Sequence, residues 1–205
     1  MLIDCDERTD GVLWCTLKDG RRANAINPAL LDSLDLVLKR VEEKSKLTTV
    51  VLSAGDSKHF CGGGDLRFLA SLSKNEVNAF SDRVFEICAR IERSPTLWCA
   101  MLKGAVLGGG AELALAFDVR FAHSDTRFAF SQLQMGLTSG WGGFARLVAA
   151  VGRQKALSRV LTGKNVDAEA LSELNLAVKM KSTNERGEFA SWVSDWCTDD
   201  PALLR

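Results

Sequence analysis

The chain has 205 residues, 46% of them hydrophobic, with 26 basic and 26 acidic side chains. It is long enough to bury its own core, and its zero net charge excludes the electrostatic footprint of a nucleic-acid or anionic-membrane binder. The acidic opening MLIDCDERTDG has no apolar run and no later stretch has the length of a bilayer-spanning helix, so the reading is a cytosolic or matrix-like chain.

From Val12 to Leu17, VLWCTL is apolar and β-prone, and TTVVLSAG at 48–55 repeats that character before a glycine stop. Between them Asn27 and Pro28 signal a helix start, and Leu30, Leu31, Leu34, Val37, Leu38 and Val41 share one face at a 3.6-residue period. Ser73 and Glu76 form a capping box ahead of a second stripe, Val77, Phe80, Val84, Ile87, Cys88 and Ile91, which Pro95 closes. A buried strand over 97–102 follows, then the glycines 108–110, a short helix, and a strand pair near 119–121 and 128–130. Past Gly152 the pattern is mainly helical, with Asp167 capping DAEALSEL, a short strand in LAVKM, and a last helix from about Glu185 to Cys197. The fold class is α/β around one core.

The six cysteines, Cys5, Cys15, Cys61, Cys88, Cys99 and Cys197, show no C-x-x-C pair and no histidine at zinc spacing. They read as small buried hydrophobes in a reducing compartment, and no metal is expected.

Two glycine-rich turns, HFCGGGDL at 59–66 and KGAVLGGGAEL at 103–113, each follow a predicted strand. Neither fits a phosphate loop or a dinucleotide fingerprint. Three consecutive glycines allow backbone N–H groups to approach a ligand with no Cβ in the way. A helix opened by Gly109 would aim its first N–H along the positive end of the dipole, and an N–H from Gly64 could converge with it. Two such donors stabilise a thioester carbonyl as it becomes an enolate. Taken singly, either turn reads first as a tight-packing device, and it is the two together that point to a site.

FCGGGDL resembles the F-x-A-G-A-D-[IL] signature of the enoyl-CoA hydratase (crotonase) superfamily, and KGAVLGGGAELALAFDVRFA resembles its G-x-[AC]-x-G-G-G-x-E-L-x-x-x-x-D-x-R-x-A signature. RRANAINPALLDSL is similar to the family's opening CoA-contact segment, and SGWGGFARLVAAVGRQKALSRVLTGKNVDAEAL to its G-x-G-G-x-x-R-L segment, so the likeness covers roughly residues 10–180. The resemblance implies a crotonase (ClpP-like) spiral of repeated ββα units. It implies a core domain over 1–180 and a helical segment over 181–205 that is short beside the family's helical extension. It also implies homotrimers or dimers of trimers, and no cofactor beyond coenzyme A carried by the substrate. Carried over by position, Gly64 and Gly109 are oxyanion donors, while Gly62, Asp65 and Leu66 line the CoA path near Arg22 and Ala23.

Hydratases of the family use two glutamates. Glu112 stands at the first position and Gln132 at the second, where a carboxamide cannot take or deliver a proton as a carboxylate does. The same position supplies the base in many isomerases. Decarboxylation asks less, since loss of CO₂ itself generates the enolate. GLTSGWGGFARLV is similar to the ethylmalonyl-CoA decarboxylase branch, with Trp141 walling the acyl pocket, although that branch tends to carry histidine at position 132. The expected function is an acyl-CoA lyase, first a malonyl-type decarboxylase. A hydratase or isomerase working through Glu112 and a non-catalytic acyl-CoA binder or partner subunit are the alternatives. Ser131 and Gln134 are alternative pocket residues to Gln132. His59, His123, Lys103 and Arg146 receive structural readings, and the Arg83, Glu86, Arg90, Glu92 and Arg93 face reads as solvated charge.

Overall fold

The computed structural model describes residues 1–8, 11–44 and 46–196. In chain order the elements are β1 (Ile3–Glu7), β2 (Val12–Leu17), α1 (Pro28–Glu43), β3 (Thr49–Ser53), α2 (Leu66–Ala70), α3 (Lys74–Arg93), β4 (Leu97–Leu102) and β5 (Ala105–Leu107). They continue with α4 (Gly109–Ala114), β6 (Val119–Ala122), β7 (Arg127–Ala129), α5 (Gly143–Val151), α6 (Arg153–Thr162), α7 (Ala168–Glu173), β8 (Val178–Lys179) and α8 (Glu185–Trp196).

Six strands form one sheet in the order β1-β2-β3-β4-β6-β8, antiparallel between β1 and β2 and parallel thereafter. The second sheet pairs β5 with β7 in parallel, and isolated bridges extend it from Cys61 to Val106 and from Phe128 to Val166. The strands near 119 and 128, expected as a pair, therefore belong to different sheets. The chain turns a corner between them at residues 123–126, where the N–H of Thr126 donates to His123 O.

Parallel strands covered on both faces read as continuous apolar runs, as β3 and β4 do here. Their alternate residues serve two cores. Leu13, Cys15, Val50, Leu52, Trp98, Ala100 and Leu102 face the larger core with α1 and α3, while Trp14, Val51, Cys99, Met101 and Phe121 meet Phe189 and Trp192 of α8. The six apolar positions read on α1 are all buried, and Asn27 caps the helix by accepting from Leu30 N at 3.0 Å. The capping box of α3 is present, and five of its six stripe residues are buried. The sixth, Val77, borders a cavity described below. The charged face of α3 is organised rather than merely solvated: Arg83 pairs with Asp32 of α1 at 2.6 Å, and Arg90 with Asp35 at 2.5 Å and Glu42 at 2.8 Å.

Four of these elements escaped the sequence reading, α5 among them because it precedes the helical stretch read past Gly152. β1, IDCDE, hides its alternation under acidic residues at an exposed edge; α2 spans barely one turn; and β5 abuts the glycine run. Asp167 caps α7 as expected, accepting from Ala170 N at 2.9 Å. Cys15, Cys61, Cys88 and Cys99 are buried, and burial pushes the Cys61 and Cys88 thiols up to about 12. Cys5 is only partly buried, and Cys197 lies outside the described residues. Among the described residues no helix is long and apolar enough to cross a membrane.

Candidate active site

Both glycine turns emerge where the chain leaves the large sheet for the small one. The first is stitched to the segment before α1. Gly62 N donates to Ala23 O at 2.8 Å, Ile26 N to Gly63 O at 2.8 Å, and Asp65 N to Ile26 O at 2.9 Å. Gly63 has φ +107°, and a Cβ there would fall 2.9 Å from Leu107 O of the second turn. Only glycine lets the two turns approach this closely. In the second turn, Leu107 N donates to Cys61 O and Gly108 N to Ala129 O, after which α4 begins at Gly109. This pattern leaves the N–H groups of Gly64 and Gly109 without a backbone partner among the described residues.

Trp141 lies across both turns. A Cβ on Gly109 would fall 2.0 Å from its Cζ3, and one on Gly64 would fall 3.2 Å from its Cη2. The indole is buried and meets Phe80 edge-to-face at 6.2 Å, and the Trp141 main-chain carbonyl accepts from Arg146 Nη1 at 2.7 Å. Arg146 in turn pairs with Glu92 at 2.6 Å, so its role is to brace this turn.

Glu112, in the first turn of α4, is 2% exposed and is met by four donors. Ser139 Oγ at 2.6 Å and the N–H groups of Trp141 and Gly143, both at 2.9 Å, donate to Oε2, while Gln132 Nε2 donates to Oε1 at 2.8 Å. Because a carboxylate can only accept, the Gln132 amide must present its nitrogen to Glu112. Its own Oε1 is left buried with no partner.

These groups share a cavity of about 470 Å³, with Leu66, Leu69, Val77, Met135 and Leu137 supplying much of an apolar wall. Of the residues expected at the site, Gly62, Gly64, Leu66, Gly109, Glu112, Gln132 and Trp141 line it. Ala23 and Asp65 do not. Ala23 supports Gly62 from a left-handed conformation at φ 50°, and Asp65 caps α2 by accepting from Arg67 N and Phe68 N. Arg22 stands 4.0 Å from Asp65. Ser131 lines the cavity, whereas Gln134 packs against Gly163.

Sequence reasoning missed Ser139, which links Glu112 to Phe144 N, and Asn24. Asn24 is buried with φ 50° and donates to His59 O and Phe60 O, tying the segment before α1 to the first glycine turn. Asparagine is among the few residues that tolerate this conformation, the one signal RRANAIN offered.

A larger, more open hollow of about 940 Å³ lies at the ends of β3, β4 and β6. Several of its polar groups already pair: His123 with Glu185 at 3.1 Å, Ser53 with Glu185, and Lys103 with Gly55 O. His59 Nδ1 accepts from Ala105 N at 3.1 Å. Both histidines have structural partners, while Lys103, expected as a solvated or ion-paired residue, instead donates to a main-chain carbonyl.

The family model for enoyl-CoA hydratase/isomerase matches residues 7–202. The chain belongs to the enoyl-CoA hydratase/isomerase family. Its fold overlays an enoyl-CoA hydratase from Bacillus anthracis at a TM-score of 0.92, with 25% identity, covering 100% of this chain and 80% of that one. A short-chain-enoyl-CoA hydratase of Clostridium acetobutylicum is 28% identical, over 92% of this chain and 72% of the relative. An ethylmalonyl-CoA decarboxylase of Gallus gallus is 31% identical, over 98% of this chain and 69% of the relative. A mitochondrial methylglutaconyl-CoA hydratase of Mus musculus is 26% identical, and the chain spans 59% of its length. The crotonase fold expected from the glycine motifs is thus shown, and the relatives are lyases acting on acyl-CoA thioesters.

Proposed function

We propose that the chain decarboxylates a malonyl-type acyl-CoA thioester. The observation that carries this reading is the contact between Gln132 and Glu112. Hydration needs a base and a proton source within reach of the same double bond, and here the second position is a carboxamide that spends its N–H on the first. Three of the four donors to Glu112 also end on one oxygen, holding the carboxylate as a structural knot.

Decarboxylation draws on what remains. The free N–H groups of Gly64 and Gly109 donate to the thioester oxygen and stabilise the enolate, each worth roughly 2.7–4 kcal/mol of barrier in comparable sites. The substrate carboxylate sits among Leu66, Val77, Leu137 and Trp141, where it loses hydration that neutral CO₂ does not need. The C–C bond electrons pass to the enolate, CO₂ leaves, and carbon then takes a proton from water. Gly62 and Leu66 border the thioester arm, and Ala23 and Asp65 hold the turn that carries them.

One observation favours hydratase or isomerase chemistry as the second reading. Among the described residues Glu112 Oε1 accepts from Gln132 alone, and Glu112 lines the cavity.

The test is mass-spectrometric turnover of methylmalonyl-, ethylmalonyl- and crotonyl-CoA by the wild-type chain and by Gln132→Glu. Loss of CO₂ from a malonyl-type thioester by the wild type, with hydration of crotonyl-CoA appearing only in Gln132→Glu, supports the proposal. Hydration by the wild type that disappears in Glu112→Gln replaces it with the second reading. Binding of every thioester with no turnover replaces both with a binding or partner subunit. Gly109→Pro, the obvious donor deletion, is a poor control, because its ring would enter the space of Trp141.

A further inference from the structure

Two sulfurs outside the lining of the cavity take no part in this chemistry. Cys5 on β1 and Cys15 on β2 are directly opposed cross-strand partners. Lys18 N donates to Leu2 O and Arg8 N to Val12 O, so those flanking pairs are the hydrogen-bonded ones. Antiparallel alternation then makes Cys5–Cys15 a non-hydrogen-bonded pair, the kind whose Cα atoms lie about 4.5 Å apart and whose side chains approach most closely. That spacing falls inside the range of roughly 4.4–6.8 Å that a disulfide spans. The two Sγ atoms are 3.2 Å apart, so a bond requires them to close by only about 1.2 Å.

The two thiols are also unequal. Cys5 is partly exposed, and Cys15 is fully buried. The hydrogen bond shared with Cys15, helped by the nearby Arg40 guanidinium, holds Cys5 below the ordinary thiol range. The same hydrogen bond and burial push Cys15 up. Cys5 therefore has the character of an attacking sulfur and Cys15 that of a resolving one.

We propose that Cys5 and Cys15 form a reversible dithiol–disulfide pair that exchanges with small-molecule disulfides of the glutathione type. The Cys5 thiolate attacks one sulfur of RSSR and expels RS⁻, giving Cys5–S–SR. Cys15 then displaces the second RS⁻, its proton leaving with that thiolate. In sum, two protein thiols are oxidised to one disulfide and RSSR is reduced to two RSH. The product staples β1, which among the described residues is an edge strand paired with β2, to the rest of the molecule.

The full chain is incubated with oxidised glutathione, its remaining thiols are alkylated, and unreduced peptides are mapped by mass spectrometry. The expected result is a linked pair of peptides carrying Cys5 and Cys15, reversed by reduced glutathione, with Cys61, Cys88 and Cys99 left unlinked. Cys15→Ser should stall with glutathione on Cys5, and Cys5→Ser should lose the linkage. In the wild type the guanidinium unfolding midpoint should rise on oxidation, while in Cys5→Ser it should not move. Full alkylation of Cys5 after oxidation, or a wild-type Cys5–glutathione adduct that never resolves, overturns the proposal.

Discussion

Glu112 is one side chain with four hydrogen bonds, and its neighbours were built around it. Glu112→Ala strands Ser139 Oγ, the N–H groups of Trp141 and Gly143, and the Gln132 amide, and should cost about 3–5 kcal/mol in denaturant unfolding. Glu112→Gln should cost much less. Its oxygen serves the three donors while its nitrogen turns to Gln132, whose amide can flip and offer the Oε1 that has no partner in the wild type. A crystal structure of Glu112→Gln checks this through the Gln132 rotamer and contacts. Trp141→Ala removes the wall shared by both glycine turns. It should lower stability by about 3–5 kcal/mol and shift thioester preference toward longer or more branched acyl groups, read as a lower KM for those substrates.

At the scale of elements, caps and ion pairs carry their own consequences. Asn27→Ala leaves the Leu30 N–H at the start of α1 unanswered and should cost about 1 kcal/mol, measured as a shift in denaturant midpoint at unchanged slope. Between α1 and α3, the Lys39 ammonium and the Arg90 guanidinium hold the Asp35 carboxyl below its ordinary range. A depressed carboxylate contributes stability that is fully present above its unfolded value and is lost as pH falls through its folded one. Asp35→Asn should therefore lower stability near neutrality and flatten the acid limb in thermal melts, where the wild type loses this contribution as pH falls below the ordinary carboxylate range. Gly143 packs α5 onto α4, and a Cβ there would fall 2.3 Å from Glu112 Cγ. Long elements with a cap and a stripe, such as α1 and α3, were legible because several local signals agreed. So were the glycine turns and Glu112, whose residue types have few other uses in that pattern. The Gln132 contact, Ser139 and the placement of Trp141 over both turns were not legible. They depend on where chain segments 20 or more residues apart, and as far apart as Gly64 and Trp141, meet, which no local period encodes. The cap that Asp65 forms for α2 was not legible either, since its position in the motif does not announce a helix of barely one turn.

Across the whole molecule, the large sheet separates two apolar clusters, with the cavity on the α1–α3 side and α8 on the other. Phe189→Ala should loosen α8 and cost about 3–5 kcal/mol, with a red shift in the emission of Trp14, its ring partner. Thioester KM should stay unchanged, because the damage lies across the sheet from the cavity.

The corners where the chain passes from one sheet to the other also set the order in which the molecule assembles. Gly64, Gly109, Gln132 and Trp141 reach the cavity on separate returns of the backbone, so each contact there closes a loop of tens of residues and repays its entropy only after the strands have paired. The cavity is thus a late product of folding. Damage to its contacts should leave the folding rate almost untouched and appear as faster unfolding, while damage to β3 or β4 should slow folding itself.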